Sequence, residues 1–219
     1  MLTLALPTGR MLGDCLTLLK RVGVPCSALE KPGRGLVFEQ GNIRFLLGKP
    51  MDLPLYVHYG SADLALAGND VIMERGVPLV DLCDTGLGRC RLVVAAPRGA
   101  SPPCANGQRS SASIRIATKY PRITKAYFGS RGIRPRCIHL HGSIELAPLL
   151  HISDAIVDIV QSGNTLRAND LEVLEEVAPV SLRLVASRSS ARLKWDIIRD
   201  TLLGSPENPE RSIAPCSNL

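Results

Sequence analysis

Aromatic residues make up only 4% of the chain, and no run of Lys and Arg is interleaved with them. Base stacking and basic-arm contacts, the usual means of holding nucleic acid, therefore have little to draw on. Cys-x-x-Cys pairs are absent. The seven cysteines (Cys15, Cys26, Cys83, Cys90, Cys104, Cys137 and Cys216) are odd in number and widely spaced. That spacing argues against a zinc site and a disulfide framework, and fits reduced thiols in a cytoplasmic protein. No stretch approaches the ~20 apolar residues of a membrane span. Arg10 and Asp14 interrupt the apolar stretch of residues 1–19, which therefore does not read as an export signal. No Gly-Lys-Ser/Thr closes a Walker loop, and the three-glycine dinucleotide fingerprint is missing.

What remains reads as an ordered globular chain. With 219 residues, 45% hydrophobic and 21% charged, it can bury one large core or two modest ones. The net charge of +6 is scattered. It suits an anionic small-molecule ligand and a merely soluble surface equally well.

Hydrophobic periodicity alternates between strand and helix. A strand over 2–6 turns at Pro7-Thr8-Gly9 into a helix over 10–21, where Leu12, Leu16, Leu19 and Val22 recur at helical spacing. Gly41-Asn42 predicts a hairpin or a tight strand pair from the runs 36–38 and 43–47. Asp52 is an expected N-cap for a helix over 53–59, and Asp70 for one reaching Glu74. Strands are expected over 63–67, 79–82, 91–96, 114–117, 136–140, 155–160, 173–177 and 183–185. Helices are expected over 120–131, over 143–150 with Ser143 as N-cap, from Leu166, and over 189–203. Residues 98–113, rich in Gly, Ser, Pro and Arg, read as a loop near which two halves meet, and the chain from Gly204 as a frayed tail. The alternation implies an α/β protein with mostly parallel sheets. Polar turns at 8–10, 68–70 and 162–165 fall at strand carboxyl ends, where such folds bind ligands.

The most informative segment is Asp154-Ala-Ile-Val-Asp-Ile-Val-Gln-Ser-Gly-Asn-Thr-Leu166. Its apolar run predicts a buried strand with acids at Asp154 and Asp158. The run ends in a small polar turn and a helix start. Backbone N–H groups and a helix dipole there favour an anion, and the hydroxyls of Ser162 and Thr165 add donors. A phosphorylated sugar matches that chemistry. A βα turn that binds nothing has the same pattern.

The ordered series Leu4-Ala5-Leu6-Pro7-Thr8-Gly9-Arg10, Asp52-Leu53-Pro54, Gly68-Asn69-Asp70-Val71, Arg115-Ile116-Ala117-Thr118-Lys119-Tyr120-Pro121, Gly142-Ser143-Ile144-Glu145-Leu146-Ala147-Pro148 and the 154–169 segment resembles the catalytic subunit of ATP phosphoribosyltransferase over about residues 2–203. The resemblance implies a two-lobed α/β fold of the type II periplasmic-binding-protein kind, with a cleft between lobes. Residues 1–89 with 179–204 would form lobe I, 90–178 lobe II with the phosphate loop, and 205–219 a flexible tail. It implies condensation of ATP, through adenine N1, with 5-phosphoribosyl 1-pyrophosphate (PRPP), opening histidine biosynthesis. Mg²⁺ would be carried by the pyrophosphate, with no protein side chain assigned as its direct ligand.

The same resemblance places PRPP on Asp154, Asp158, Ser162, Gly163, Asn164, Thr165 and Leu166, and ATP on Arg10, Arg34, Lys49, Gly68 and Asp70. Asp158 and Glu145 are the implied catalytic acids. For Glu145 an ordinary helix-start acid, and for Asp158 a structural hydrogen bond, are the competing readings. A solvated surface side chain competes for Arg10 and Arg34. Three positions depart from the family's usual residues: Thr8 and Asn69 stand where it has Lys, and Lys49 where it has Arg. Two cations are lost, and a forked donor becomes a point charge. The short length past Leu203 resembles the form that works with a regulatory subunit related to histidyl-tRNA synthetase, as catalytic dimers within a hetero-octamer. A non-catalytic two-lobed anion-binding or sensing module of the same fold is the alternative. Neither nucleic acid nor membrane is an expected partner.

Overall fold

The computed structural model describes residues 1–100, 114–204 and 212–213. The chain divides into two compact units, Met1–Gly88 with Ser181–Leu219, and Arg89–Val180. The first unit opens with β1 (Leu2–Pro7), an almost wholly buried apolar strand. Gly9 (φ 83°) turns the chain into α1 (Arg10–Arg21), which buries Cys15, Leu18 and Leu19 and ends on Lys20 and Arg21, a favourable sign for its carboxyl end. The hairpin β2 (Val37–Gln40) and β3 (Ile43–Gly48) follows. Next come α2 (Leu53–His58), β4 (Leu64–Gly68), α3 (Asn69–Arg75) and β5 (Val80–Asp84).

The second unit holds β6 (Cys90–Pro97), β7 (Arg115–Thr118), α4 (Pro121–Gly129), β8 (Arg136–His139), α5 (Leu146–Leu149), β9 (Ala155–Val160), α6 (Asn164–Ala168) and β10 (Leu171–Val180). The chain then returns to the first unit with β11 (Leu182–Ala186), α7 (Arg188–Leu193) and α8 (Trp195–Ile198), followed by a π-helical turn at Arg199–Leu203. The first sheet runs β2-β3-β1-β4-β11-β5 and the second β10-β6-β9-β7-β8. Each has apolar cores on both faces: Leu64 and Leu66 of β4 face one, Ala65 and Ala67 the other.

Several expectations need correction. The sheets are mixed rather than mostly parallel: β3-β1-β4 and β9-β7-β8 are parallel, and the remaining pairings are antiparallel. Strands that follow one another without a helix, such as β5 and β6 or β10 and β11, escape the β-α-β reading. The strand expected over 173–177 is the ten-residue β10, whose half-buried Glu172 and exposed Glu176 hide it from an apolar search. Asp52 occupies the N-cap of α2 as expected, but its side chain makes no capping hydrogen bond and pairs with Arg75 at 3.1 Å instead. Gly68, not Asp70, occupies the N-cap of α3. Ser143 caps nothing, because the expected helix shrinks to the four residues of α5. The helix expected over 189–203 is broken into α7, α8 and the π turn. Of the expected tail, Ser212 and Ile213 are described and buried, and the Ile213 N–H donates to the Leu202 carbonyl at 2.8 Å. The rest of the tail with Cys216, and residues 101–113 with Cys104, lie outside the described residues. No helix among the described residues is long and apolar enough to cross a membrane.

Candidate active site

Strand β9 fixes the site by alternation. Ala155 and Val157 face one core of the second unit, and Ile156 and Val160 face the other. Asp158 therefore shares the face of Ile156 and Val160, near the strand's carboxyl end, with its side chain 14% exposed. The Ile159 N–H donates to Asp158 Oδ1 at 2.9 Å. The parallel register Thr118↔Val157 brings Lys119, just past β7, beside Asp158, with Nζ 3.8 Å from Oδ2. Thr118 is fully buried; its hydroxyl donates to the Val157 carbonyl and accepts from the Tyr120 N–H, both at 2.8 Å, pinning the turn that presents Lys119.

Past β9 the chain forms an exposed loop. Gly163 takes a left-handed conformation (φ 75°, ψ 4°), which a residue with a Cβ adopts only with strain. Ser162 Oγ accepts from the Asn164 N–H at 3.4 Å. Leu166 is buried in the core below, so its side chain anchors the loop and only its backbone is offered to a ligand. Arg167 folds back, donating to Asn164 Oδ1 and, at 3.4 Å, to the Ser162 carbonyl. Helix α6 has five residues, so the dipole contributes less than the sequence pattern suggested. The loop presents backbone N–H groups, hydroxyls and the Arg167 guanidinium.

Glu145 lies on the same face. Ile144 and Ala147 pack in one core with Ile156, Val160 and Leu166, which places the 143–147 segment over the half of the sheet that carries Asp158. Ser143 has φ 45°, a strained value for a residue with a side chain. Glu145 is half-buried and has no hydrogen-bond or ion-pair partner among the described residues.

Asp154 is not brought to this loop. It sits before β9, at the opposite end of a six-residue strand roughly 20 Å long. Its carboxylate accepts from Arg115 three times: the backbone N–H at 2.8 Å, Nη2 at 2.6 Å and Nε at 3.3 Å. Those bonds, the Arg115 side chain's foremost, hold the Asp154 carboxyl below the usual range. Arg115 also donates to the His151 carbonyl at 2.8 Å. The acid-to-loop spacing in sequence does not reveal that the two acids lie at opposite ends of one strand.

In the first unit the expected nucleotide residues converge on one sheet edge. Register Pro7↔Gly48 puts Thr8 beside Lys49, and the Thr8 N–H and hydroxyl both donate to the Gly48 carbonyl, at 2.8 and 3.2 Å. The Leu47 N–H donates to the Leu36 carbonyl, so the antiparallel register carries the turn holding Arg34 to the same edge. Arg10, Arg34 and Lys49 are exposed. Gly68 ends β4, and a Cβ there would stand 2.1 Å from Asp70 Oδ1, so only glycine admits the buried Asp70 carboxylate. Asn69 exchanges two hydrogen bonds with Ser181, accepting its N–H at Oδ1 and donating its own to the carbonyl, each 3.0 Å. All three departures thus sit at the ends of adjacent strands β3, β1 and β4.

Sequence reading missed Lys119, Arg167 and the task of Arg115. A cation directly after a buried apolar strand, as Lys119 follows 116–118, is the signal that was available for the first. The other two depend on tertiary register.

The fold has known parallels. The substrate-binding protein of an amino acid ABC transporter overlays with a TM-score of 0.54 at 12% identity, covering 91% of this chain and 90% of that one. This defines the class by architecture alone, a two-lobed α/β protein of the type II periplasmic-binding-protein kind. The ATP phosphoribosyltransferase family model matches residues 49–203. An ATP phosphoribosyltransferase from Sorangium cellulosum is 46% identical, covering 90% of this chain and 91% of that protein. One from Rubrobacter xylanophilus is 41% identical over 92% and 93%. A structure described as the ATP phosphoribosyl transferase (HisG:HisZ) complex from Thermotoga maritima overlays with a TM-score of 0.80 at 34% identity, covering 91% and 94%. The chain belongs to the ATP phosphoribosyltransferase family, pentosyltransferases of histidine biosynthesis whose reaction uses a divalent metal.

Proposed function

We propose that the chain condenses PRPP with ATP by displacement at the anomeric carbon. The adenine N1 lone pair forms the new bond to C1 of the ribose. The C1–O bond to pyrophosphate breaks, and its electron pair leaves on pyrophosphate. The nucleophile belongs to the substrate, so the protein's task is positioning and charge stabilisation. Ser162, Gly163, Asn164, Thr165 and the backbone of Leu166 hold the sugar 5-phosphate, with Arg167 closing the loop. Asp158 accepts from the ribose hydroxyls and, with Glu145, stabilises positive charge developing at C1. Lys119, 3.8 Å from Asp158, holds its carboxylate in position. Arg10, Arg34 and Lys49 meet the ATP phosphates, while Gly68 and buried Asp70 shape the adjoining turn. Asp154 holds Arg115 and does not touch substrate.

The divalent ion is Mg²⁺ carried by pyrophosphate. Such an ion keeps several waters and needs only one or two carboxylates beside the phosphate oxygens. Asp158 and Glu145 are the carboxylates that would face this substrate-borne ion. When bound, it neutralises charge on the leaving pyrophosphate.

By likeness to the Thermotoga complex, the chain works with a HisZ-type regulatory subunit related to histidyl-tRNA synthetase, as dimers within a hetero-octamer. A cytoplasmic setting agrees with the free thiols of Cys15, Cys26, Cys83, Cys90 and Cys137.

The placement of Asp158, Glu145 and the 162–166 loop on one face of one sheet carries this reading. Its test follows the absorbance of phosphoribosyl-ATP with purified protein, ATP, PRPP, Mg²⁺ and pyrophosphatase, alone and with the regulatory subunit. Product requiring both substrates is expected. No product under any condition, with PRPP still bound, would leave a binding module of the same fold.

A further inference from the structure

His139 ends β8, an edge strand of the second sheet, and His141 lies two residues on. Leu140 between them packs against the core below β9, which turns its neighbours toward the opposite side. Both histidines are exposed. Their ring centroids stand 4.7 Å apart with the planes tilted by 54°.

That separation suits two imidazoles bound to one ion. With metal–nitrogen bonds of ~2.0–2.1 Å, each ring centre lies roughly 3.2 Å from the metal, so two rings subtending about 90–110° stand roughly 4.5–5.2 Å apart. We propose that His139 and His141 form a two-imidazole chelate for a divalent transition metal of the zinc, copper or nickel class. Imidazole nitrogen selects these ions, whereas Mg²⁺ demands oxygen ligands, so the site is separate from the ion that travels with pyrophosphate. Among the described residues no third His, Cys, Asp or Glu joins the pair, and water fills the remaining positions. The chelate stands at the start of the segment that runs through strained Ser143 to Glu145. An ion there therefore fixes the backbone leading to the active-site face. Metal binding at the pair does not depend on the transferase reading.

The test titrates the whole protein with Cu²⁺ in excess Mg²⁺, using calorimetry for affinity and electron paramagnetic resonance for the ligand set. One ion per chain, with splitting from two equatorial imidazole nitrogens, is expected. His139→Gln and His141→Gln should each weaken that binding at least tenfold, the double variant should abolish the nitrogen signal, and Cys137→Ser should leave it intact. Circular dichroism confirms that each variant is folded. Affinity and spectrum unchanged in both histidine variants, or binding lost only in Cys137→Ser, would overturn the proposal.

Discussion

Lys119 Nζ lies 3.8 Å from Asp158 Oδ2, at the carboxyl ends of neighbouring parallel strands, with the lysine 37% and the aspartate 14% exposed. The cation offsets the cost of the carboxylate's partial burial. Lys119→Met should therefore reduce kcat/KM for PRPP by about tenfold or more. Thermal unfolding should fall as well, because the variant leaves a mostly buried carboxylate without that cation; kinetics compared at matched folded fraction separate the two effects.

Gly163→Ala adds a Cβ where φ is 75°, with Val160 Cγ1 3.8 Å away. Space is available; the conformation is not. The variant should fold with a loss of about 1 kcal/mol, and its KM for PRPP should rise much more than its KM for ATP. Steady-state kinetics with each substrate varied in turn distinguishes the two.

Asn69→Ala removes the acceptor of the Ser181 N–H where the chain re-enters the first unit. Leaving that donor unpaired should cost about 1–2 kcal/mol in urea unfolding. Asn69→Asp, which keeps an acceptor, should recover most of it.

Acid stability has a contributor in each unit. Burial alone would raise the Asp63 carboxyl, but donation from Lys194 Nζ (2.7 Å), the Thr3 N–H (2.8 Å) and the Ser190 hydroxyl (2.8 Å) leaves it below the ordinary range. Asp154 is lowered by Arg115. Both folded values lie below the unfolded value of about 3.9, so this stability is fully present above that pH. It is lost as pH falls through the depressed folded values. Asp154→Asn and Asp63→Asn should each flatten the acid limb of a stability–pH profile while leaving its slope between pH 6 and 8 unchanged.

The sequence made the 162–166 loop, the hairpin at Gly41-Asn42 and helix Arg10–Arg21 legible, because turn chemistry and apolar periodicity act locally. It hid what depends on strand pairing. Asp154 and Asp158 look alike in sequence, yet one ends in a structural clamp with Arg115 and the other opens beside Lys119. The edge shared by Arg10, Arg34 and Lys49 emerges only from the β2-β3-β1 register. The sequence overstates helix 143–150: Leu146, Ala147 and Leu149 suit a helix for a single turn, while Pro148 and the positive φ of Ser143 do not extend it.

The most direct measurement compares Asp158→Asn with Asp154→Asn in phosphoribosyl-ATP formation, at matched folded fraction and saturating regulatory subunit. Asp158→Asn should lower kcat/KM for PRPP by roughly a hundredfold or more, and Asp154→Asn by less than about threefold. Equal losses in the two variants, or a larger loss at Asp154, would contradict the assignment of the sugar site to the carboxyl end of Ala155–Val160.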